Sequence, residues 1–312
     1  MVNSSKFDLS DEVLAWIVTS VDPGASVESV RRLVGGISSI VHSVSLRFGD
    51  DVKGYVVRQF NDSEWLSREP DLVLHEGGSL SIASKVNLPT PELIAYDKTG
   101  EYCGMPTVLM TQLKGSVILS PIDMANWLNG LAESLLRIHE VEANDFPWSY
   151  YTYNNMTTIE TPAWSSVPQL WSKAIDIVRG AKPEANLCFI HRDYHPTNVL
   201  WFEDKVSGVV DWVNACRGPA GIDLGHCRWN LALLFNVITA DQFLSAYHNH
   251  AGTTFHYDPY WDLLSLMDTL FGPPNVYPGW TALGVTGLTA DLMRERVDAY
   301  LISILERINH VQ

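Results

Sequence analysis

Phe189-Ile190-His191-Arg192-Asp193-Tyr194-His195-Pro196-Thr197-Asn198-Val199-Leu200 is the segment whose residue types and spacing could do chemistry. It reads as strand, H-x-D-x4-N, strand. An Asp held in a rigid loop between strands can accept the proton of a hydroxyl. An Asn five residues later returns to the same side and offers a carbonyl oxygen to a metal. Downstream, Gly208-Val209-Val210-Asp211-Trp212 ends a β-rich run in a lone carboxylate, suited to be a second magnesium ligand. Phosphoryl transfer asks for this equipment: a positioned nucleophile and neutralised charge, with little covalent help from the protein. Singly, Asp193 is as well explained as a turn residue and Asn198 as a cap. The joint pattern is what points to group transfer.

The flanking sequence supplies elements to hold these groups. A polar, acidic start at Asp8-Leu9-Ser10-Asp11-Glu12 runs into a helix with Val13, Leu14, Trp16 and Ile17. Residues Leu33 to Leu46 read as strand, glycine turn (Gly35-Gly36) and strand, and Gly54–Phe60 as a third strand. A helix is expected from about Glu64 to Lys85, despite Gly77-Gly78, and is closed by Pro89-Thr90-Pro91. Strands at Glu92–Tyr96 and Thr107–Leu113 follow. From Pro121 helices dominate, beginning with Leu128, Leu131, Leu135 and Ile138 on one face and ending with a helix from Thr289 to about Arg307. Between them lie a Tyr- and Trp-rich loop (Trp148 to Trp164) and short strands at Leu187–Ile190, Val199–Phe202 and Val206–Val210.

With Gly218-Pro219-Ala220-Gly221-Ile222-Asp223-Leu224 added, the motifs resemble those of the aminoglycoside phosphotransferase family, which includes macrolide kinases and is similar to choline kinases and, more distantly, protein kinases. The resemblance runs from about Gly35 to Arg307. It implies an α+β, protein-kinase-like two-lobed fold: a β-rich N-terminal nucleotide-binding lobe over residues 1–113 and a mainly helical C-terminal lobe over 114–312. It further implies Asp193 as catalytic base, Asn198 and Asp211 as Mg2+ ligands, and Asp223 as a brace for the catalytic loop. Gly35, Gly36, Ser38 and Ser39 would bring backbone N–H groups to the phosphates. The family often has Asn where this chain has Ser39. Arg58 takes the place of the phosphate-binding Lys, and a guanidinium also suits bidentate phosphate contact. Its expected partner is Glu76, with Glu69 as a rival. Met110-Thr111-Gln112-Leu113 would read the purine edge of ATP or GTP. For the acceptor, the candidates are His226, Asn230, Trp261, Asp262 and Asp268, the last two to hold an ammonium group and Trp261 to cover a ring or cation.

Composition bounds the partners. The 312 residues suffice for a full core, and a formal charge of −15 opposes nucleic acid and anionic membranes and favours a cationic small molecule. Eleven Trp suggest a ring-lined cavity. Cys103, Cys188, Cys216 and Cys227 form no C-x-x-C pair, and no apolar run reaches the ~18–20 residues of a membrane span. A cytoplasmic protein is expected. His191, His195 and His226 are not read as a zinc site, because no further ligands stand at zinc spacing. His191 is expected to pack beneath the loop and hydrogen-bond backbone, and His139 to be structural. Neither D-F-G nor A-P-E is present, which argues against a protein kinase. The expected activity is transfer of a γ-phosphate to a hydroxyl of an antibiotic such as a macrolide or aminoglycoside. Its alternatives are a kinase of choline, a sugar or homoserine, or a nucleotide-binding pseudokinase.

Overall fold

Ser10 caps the first helix, its hydroxyl accepting from the Val13 N–H at 3.3 Å, so α1 (Asp11–Val21) starts one residue later. The computed structural model describes residues 8–33 and 39–311. The buried face of α1 (Val13, Leu14, Ile17) packs on a sheet of five strands. These are β1 (Ser26–Arg32), β2 (Ile40–Phe48), β3 (Asp51–Gln59), β4 (Leu93–Asp97) and β5 (Thr107–Thr111), arranged β1-β2-β3-β5-β4 with every pair antiparallel. Alternation along β2 and β3 sends Val44, Leu46, Tyr55 and Val57 into the core that α1 covers.

Two expectations need correction here. The first strand lies at Ser26–Arg32, earlier than expected, because β1 is mostly exposed and its polar sequence carries no hydrophobic alternation. The helix expected over 64–85 is two helices, α2 (Ser63–Arg68) and α3 (Leu72–Ala83). Pro70 separates them, since it lacks an N–H and disfavours helical backbone at Glu69. Gly77 and Gly78 stay inside α3, where a Cβ on Gly78 would meet the Trp148 ring at 2.8 Å. The glycine turn Gly35-Gly36, with Ser38, lies outside the described residues.

Beyond β5 the chain enters a helical lobe. A small sheet of β6 (Ser116–Val117), β8 (Val199–Phe202) and β9 (Lys205–Val209) and a two-stranded pair of β7 (Leu187–Ile190) and β10 (Cys216–Pro219) frame the segment that carries Asp193 and Asn198. Around them stand α4 (Met124–His139), α5 (Pro168–Arg179), α6 (Ala220–Leu234), α7 (Val237–Ala251), α8 (Tyr260–Thr269), α9 (Pro278–Ala282) and α10 (Ala290–Val311). The central helix, α6, is buried on almost every face and packs against α7, α8 and α10. A second, larger core fills this lobe and runs on into the sheet lobe through Phe60, Leu72, Val73, Leu80, Val108 and Met110, whereas the core beneath α1 belongs to the sheet lobe alone. All four cysteines are free. Among the described residues no helix is long and apolar enough to cross a membrane.

Candidate active site

Backbone hydrogen bonds fix the loop that carries Asp193. Asp223, in the first turn of α6 and fully buried, accepts from the N–H groups of His191 (2.7 Å) and Arg192 (2.6 Å) and lies 3.1 Å from His139 Nε2. Those bonds hold Arg192 at φ 66°, a left-handed conformation that costs a non-glycine residue about 1–3 kcal/mol. The Arg192 side chain is trapped as well. It donates to the Tyr151 carbonyl at 2.7 Å and lies over the Tyr151 and Tyr153 rings at 4.3 and 4.0 Å. His191 lies under the loop, 2.9 Å from the Val210 carbonyl, and its ring meets Trp212. His139 sits between Asp223 and the Tyr247 hydroxyl, a structural position.

Asp193 itself is one-third exposed, in a cleft of ≈ 770 Å³ between the lobes. Asn198 donates its amide to the Asp193 carbonyl at 2.8 Å and to the carboxylate at 3.3 Å. His226 Nε2 is 3.1 Å and His195 Nε2 3.6 Å from Asp193 Oδ1. Burial works to raise the Asp193 carboxyl, but His195 and the hydrogen bond from His226 outweigh it and hold the group well below the usual carboxylate range. Burial pushes the His195 imidazole down to about 4 despite Asp193 beside it, so that ring is neutral at neutral pH. The ligand atoms of Asp193, His195 and His226 lie within 4.8 Å of one another, a convergence that sequence spacing does not reveal.

Across the cleft, Arg58 on β3 is buried between two carboxylates, 2.8 Å from Asp211 Oδ1 and 3.4 Å from Glu76 Oε1 on α3. Glu76, not Glu69, is thus beside Arg58, and Glu69 instead accepts from the Tyr151 hydroxyl. Burial, with a smaller push from Asp211, raises Glu76 to about 7 against the attraction of Arg58. Asp211 has φ 68°, a second strained residue at the same site. Ser39, Met110, Thr111, Gln112 and Leu113 all line the cleft. Gln112 spends its side-chain oxygen on the Ser43 hydroxyl at 2.7 Å.

His226 and Asn230, one turn apart on α6, reach the cleft; Trp261, Asp262 and Asp268 do not line it. Trp261 packs against Gly221 in the α6–α8 interface. Asp262 is fully buried with Arg228 at 2.9 Å, Arg307 at 2.7 Å and the hydroxyls of Tyr257 and Tyr300, both at 2.8 Å. Asp268 accepts from the Tyr150 hydroxyl and the Asn154 N–H, both at 3.0 Å. The helical period places these three residues on α8 but does not say which face looks into the cleft. Sequence reasoning missed His195, Trp229, Tyr277 and Trp280 as lining groups. His195 stands inside the motif, and Trp229 follows His226 by one helical turn, so both had a signal. Tyr277 and Trp280 arrive from distant sequence and had none.

The model of the phosphotransferase enzyme family matches residues 35–267. The chain belongs to this family. Among curated phosphotransferase relatives, the aminoglycoside 3'-phosphotransferase of Enterococcus faecalis is 21% identical over 179 residues, 52% of this chain and 64% of that one. The homoserine kinase of Rhodopseudomonas palustris (strain BisA53) is 27% identical over 183 residues, 52% of this chain and 54% of that one. The matches thus span between half and two-thirds of those relatives. Solved phosphotransferase structures share the fold over nearly all of both chains. The macrolide 2'-phosphotransferase of Brachybacterium faecium gives a TM-score of 0.57 at 15% identity, covering 92% of this chain and 97% of that one. A thermostable aminoglycoside phosphotransferase APH(4)-Ia in ternary complex with AMP-PNP and hygromycin B gives 0.60 at 16%, covering 94% and 99%. The fold of this protein is accordingly the kinase-like α+β arrangement of that family, a sheet lobe joined to a helical lobe.

Proposed function

We propose that this protein is a small-molecule kinase that moves the γ-phosphate of ATP or GTP onto an alcohol. The observation that carries the reading is the convergence of Asp193, Asn198, Asp211 and Arg58 on one cleft that the Met110–Leu113 strand end also lines. In this reading the acceptor oxygen attacks the γ-phosphorus and the bond from that phosphorus to the bridging oxygen breaks. The hydroxyl proton passes to Asp193, and the nucleoside diphosphate leaves. Arg58, freed from neither carboxylate but aimed between them, offers its guanidinium to the phosphates.

The residues present fit a magnesium ion. Asn198 commits its amide nitrogen to Asp193, which leaves its carbonyl oxygen as the donor, and the Asp211 carboxylate lines the same cleft. Two hard oxygen ligands with room for water and phosphate suit Mg2+ better than a soft metal. When bound there, the ion would neutralise charge on the phosphate oxygens. The acceptors in the relatives' names range from an aminoglycoside to a macrolide and homoserine, so family membership leaves the acceptor open.

A coupled assay of nucleotide turnover, with ATP and GTP each tested with Mg2+ against a panel of alcohols, tests the proposal. Asp193→Asn should lower acceptor-dependent turnover by about 10²–10⁴-fold while AMP-PNP still binds. Turnover like that of the wild type in this variant would overturn Asp193 as the base.

A further inference from the structure

The cleft has two walls of different chemistry. Its N-terminal wall carries every Lys or Arg that lines it among the described residues, Arg31, Arg32 and Arg58. The facing wall, from α6 to α9, is built of Trp229, Asn230, Leu233, Tyr277, Trp280 and Leu283. Its rings interlock with the histidines at Asp193: Tyr277 meets His195 and Trp280 edge-on at 5.9 and 5.8 Å, and Trp229 meets His226 at 6.3 Å. The rim continues this apolar character. Leu283 is 37% exposed, and Phe271, on the loop between the lining residues Thr269 and Asn275, is 72% exposed.

Of 36 acidic side chains in the chain, only Asp193 and Asp211 line the cleft among the described residues, and residues 1–7, 34–38 and 312 include no Asp or Glu. Both lining carboxylates belong to the transfer chemistry proposed above. The acidic groups of α8 are spent elsewhere, Asp262 on two arginines and Asp268 on Tyr150 and Asn154. A molecule with several ammonium groups would therefore find too few carboxylates in the cleft to pair its charges. A zwitterion's carboxylate would find no Lys or Arg on the helical wall among the described residues. Rings and aliphatic groups instead reward an apolar surface.

We infer that the acceptor is an alcohol with an extended apolar face and at most one charge, neither a polycationic aminoglycoside nor a zwitterionic amino alcohol. This rests on the kinase reading, and the strong net negative charge of the protein does not extend to its acceptor wall.

The test compares kcat/KM, on the full chain with ATP and Mg2+, for a set of neutral or singly charged ring-bearing alcohols that includes a macrolide, for hygromycin B and for L-homoserine. AMP-PNP binding is measured in parallel. The best apolar-faced alcohol should exceed both others by at least tenfold, with KM changing less than twofold between 50 and 500 mM salt. Trp229→Ala and Tyr277→Ala should each shrink that preference at least tenfold while AMP-PNP still binds, which reports an intact fold. A higher kcat/KM for hygromycin B or homoserine, or silence from the whole apolar set while AMP-PNP binds, overturns the acceptor class alone. Loss of AMP-PNP binding by the unmutated protein overturns the kinase reading and this inference with it.

Discussion

Glu76 is the residue whose surroundings make the sharpest statement about pH. Its carboxyl is buried beside Arg58 yet raised to about 7, above the ordinary value of 4.5. The folded protein therefore binds a proton there that the unfolded chain has lost between those two values. The stabilisation linked to this group is complete below about 4.5 and is lost as pH rises through about 7, with a slope of at most about 1.4 kcal/mol per pH unit. Urea titrations from pH 4.5 to 7.5 should show that decline, and Glu76→Gln should flatten it. Asp193 behaves in the opposite sense, since its carboxyl lies below the usual range. The acid limb of kcat/KM should consequently fall below the range of a free carboxylate. His226→Ala, which removes the hydrogen bond to Asp193, should move that limb upward in pH. A limb that stays in place would show that His226 does not set the ionisation of Asp193.

Elements, rather than single side chains, hold the loop of Asp193 in its strained shape. Asp223 at the start of α6 satisfies two buried N–H groups at once. Asp223→Ala leaves both without a partner, at about 1–3 kcal/mol each. We expect a loss of about 2–6 kcal/mol in chemical denaturation, and in the surviving fold a larger drop in kcat than in AMP-PNP affinity. The legibility of this region has a physical basis. Asp193, Asn198 and Asp211 stand out in the sequence because the proposed transfer would need oxygen atoms at fixed places for a hydroxyl proton and a metal, and two short strands supply the spacing. Strands β3 and β5 read well because they are rich in β-branched and other apolar strand formers. By contrast, β1 is polar and edge-like, and its position is set by pairing with β2 rather than by its own pattern. The break at Pro70 was legible in principle. The faces of α8 were not, because whether Asp262 meets solvent, substrate or arginine depends on α10, which arrives about forty residues later.

At the scale of the whole molecule, the helical lobe is tied together around Asp262. Arg228 from α6, Tyr257, and Tyr300 and Arg307 from α10 all reach this one carboxylate, and Arg228 also contacts Asp241 on α7 at 2.8 Å. Asp262→Ala would break the fully buried pair with Arg228 and leave that guanidinium with Asp241 as its remaining carboxylate, a change that costs about 3–5 kcal/mol in comparable buried pairs. The expected result is a lobe that unfolds at markedly lower urea. AMP-PNP affinity should change little in the fraction that remains folded, since Asp262 does not line the cleft. A loss of affinity without loss of stability would place Asp262 in the binding machinery after all.

The two hydrophobic interiors have a practical corollary through the free thiols. Cys103 lies in the interior beneath α1, whereas Cys216 and Cys227 lie in that of the helical lobe. Burial pushes Cys103 up to about 11 and Cys216 up to about 12, so the reactive thiolate is scarce at neutral pH while the fold is closed. An alkylating reagent should then modify each of them only when its own lobe opens. Mass spectrometry of the labelled peptides would time the two openings within one sample. A ligand that stabilises both interiors should slow both clocks together, whereas one that stabilises only the interior beneath α1 should slow only Cys103.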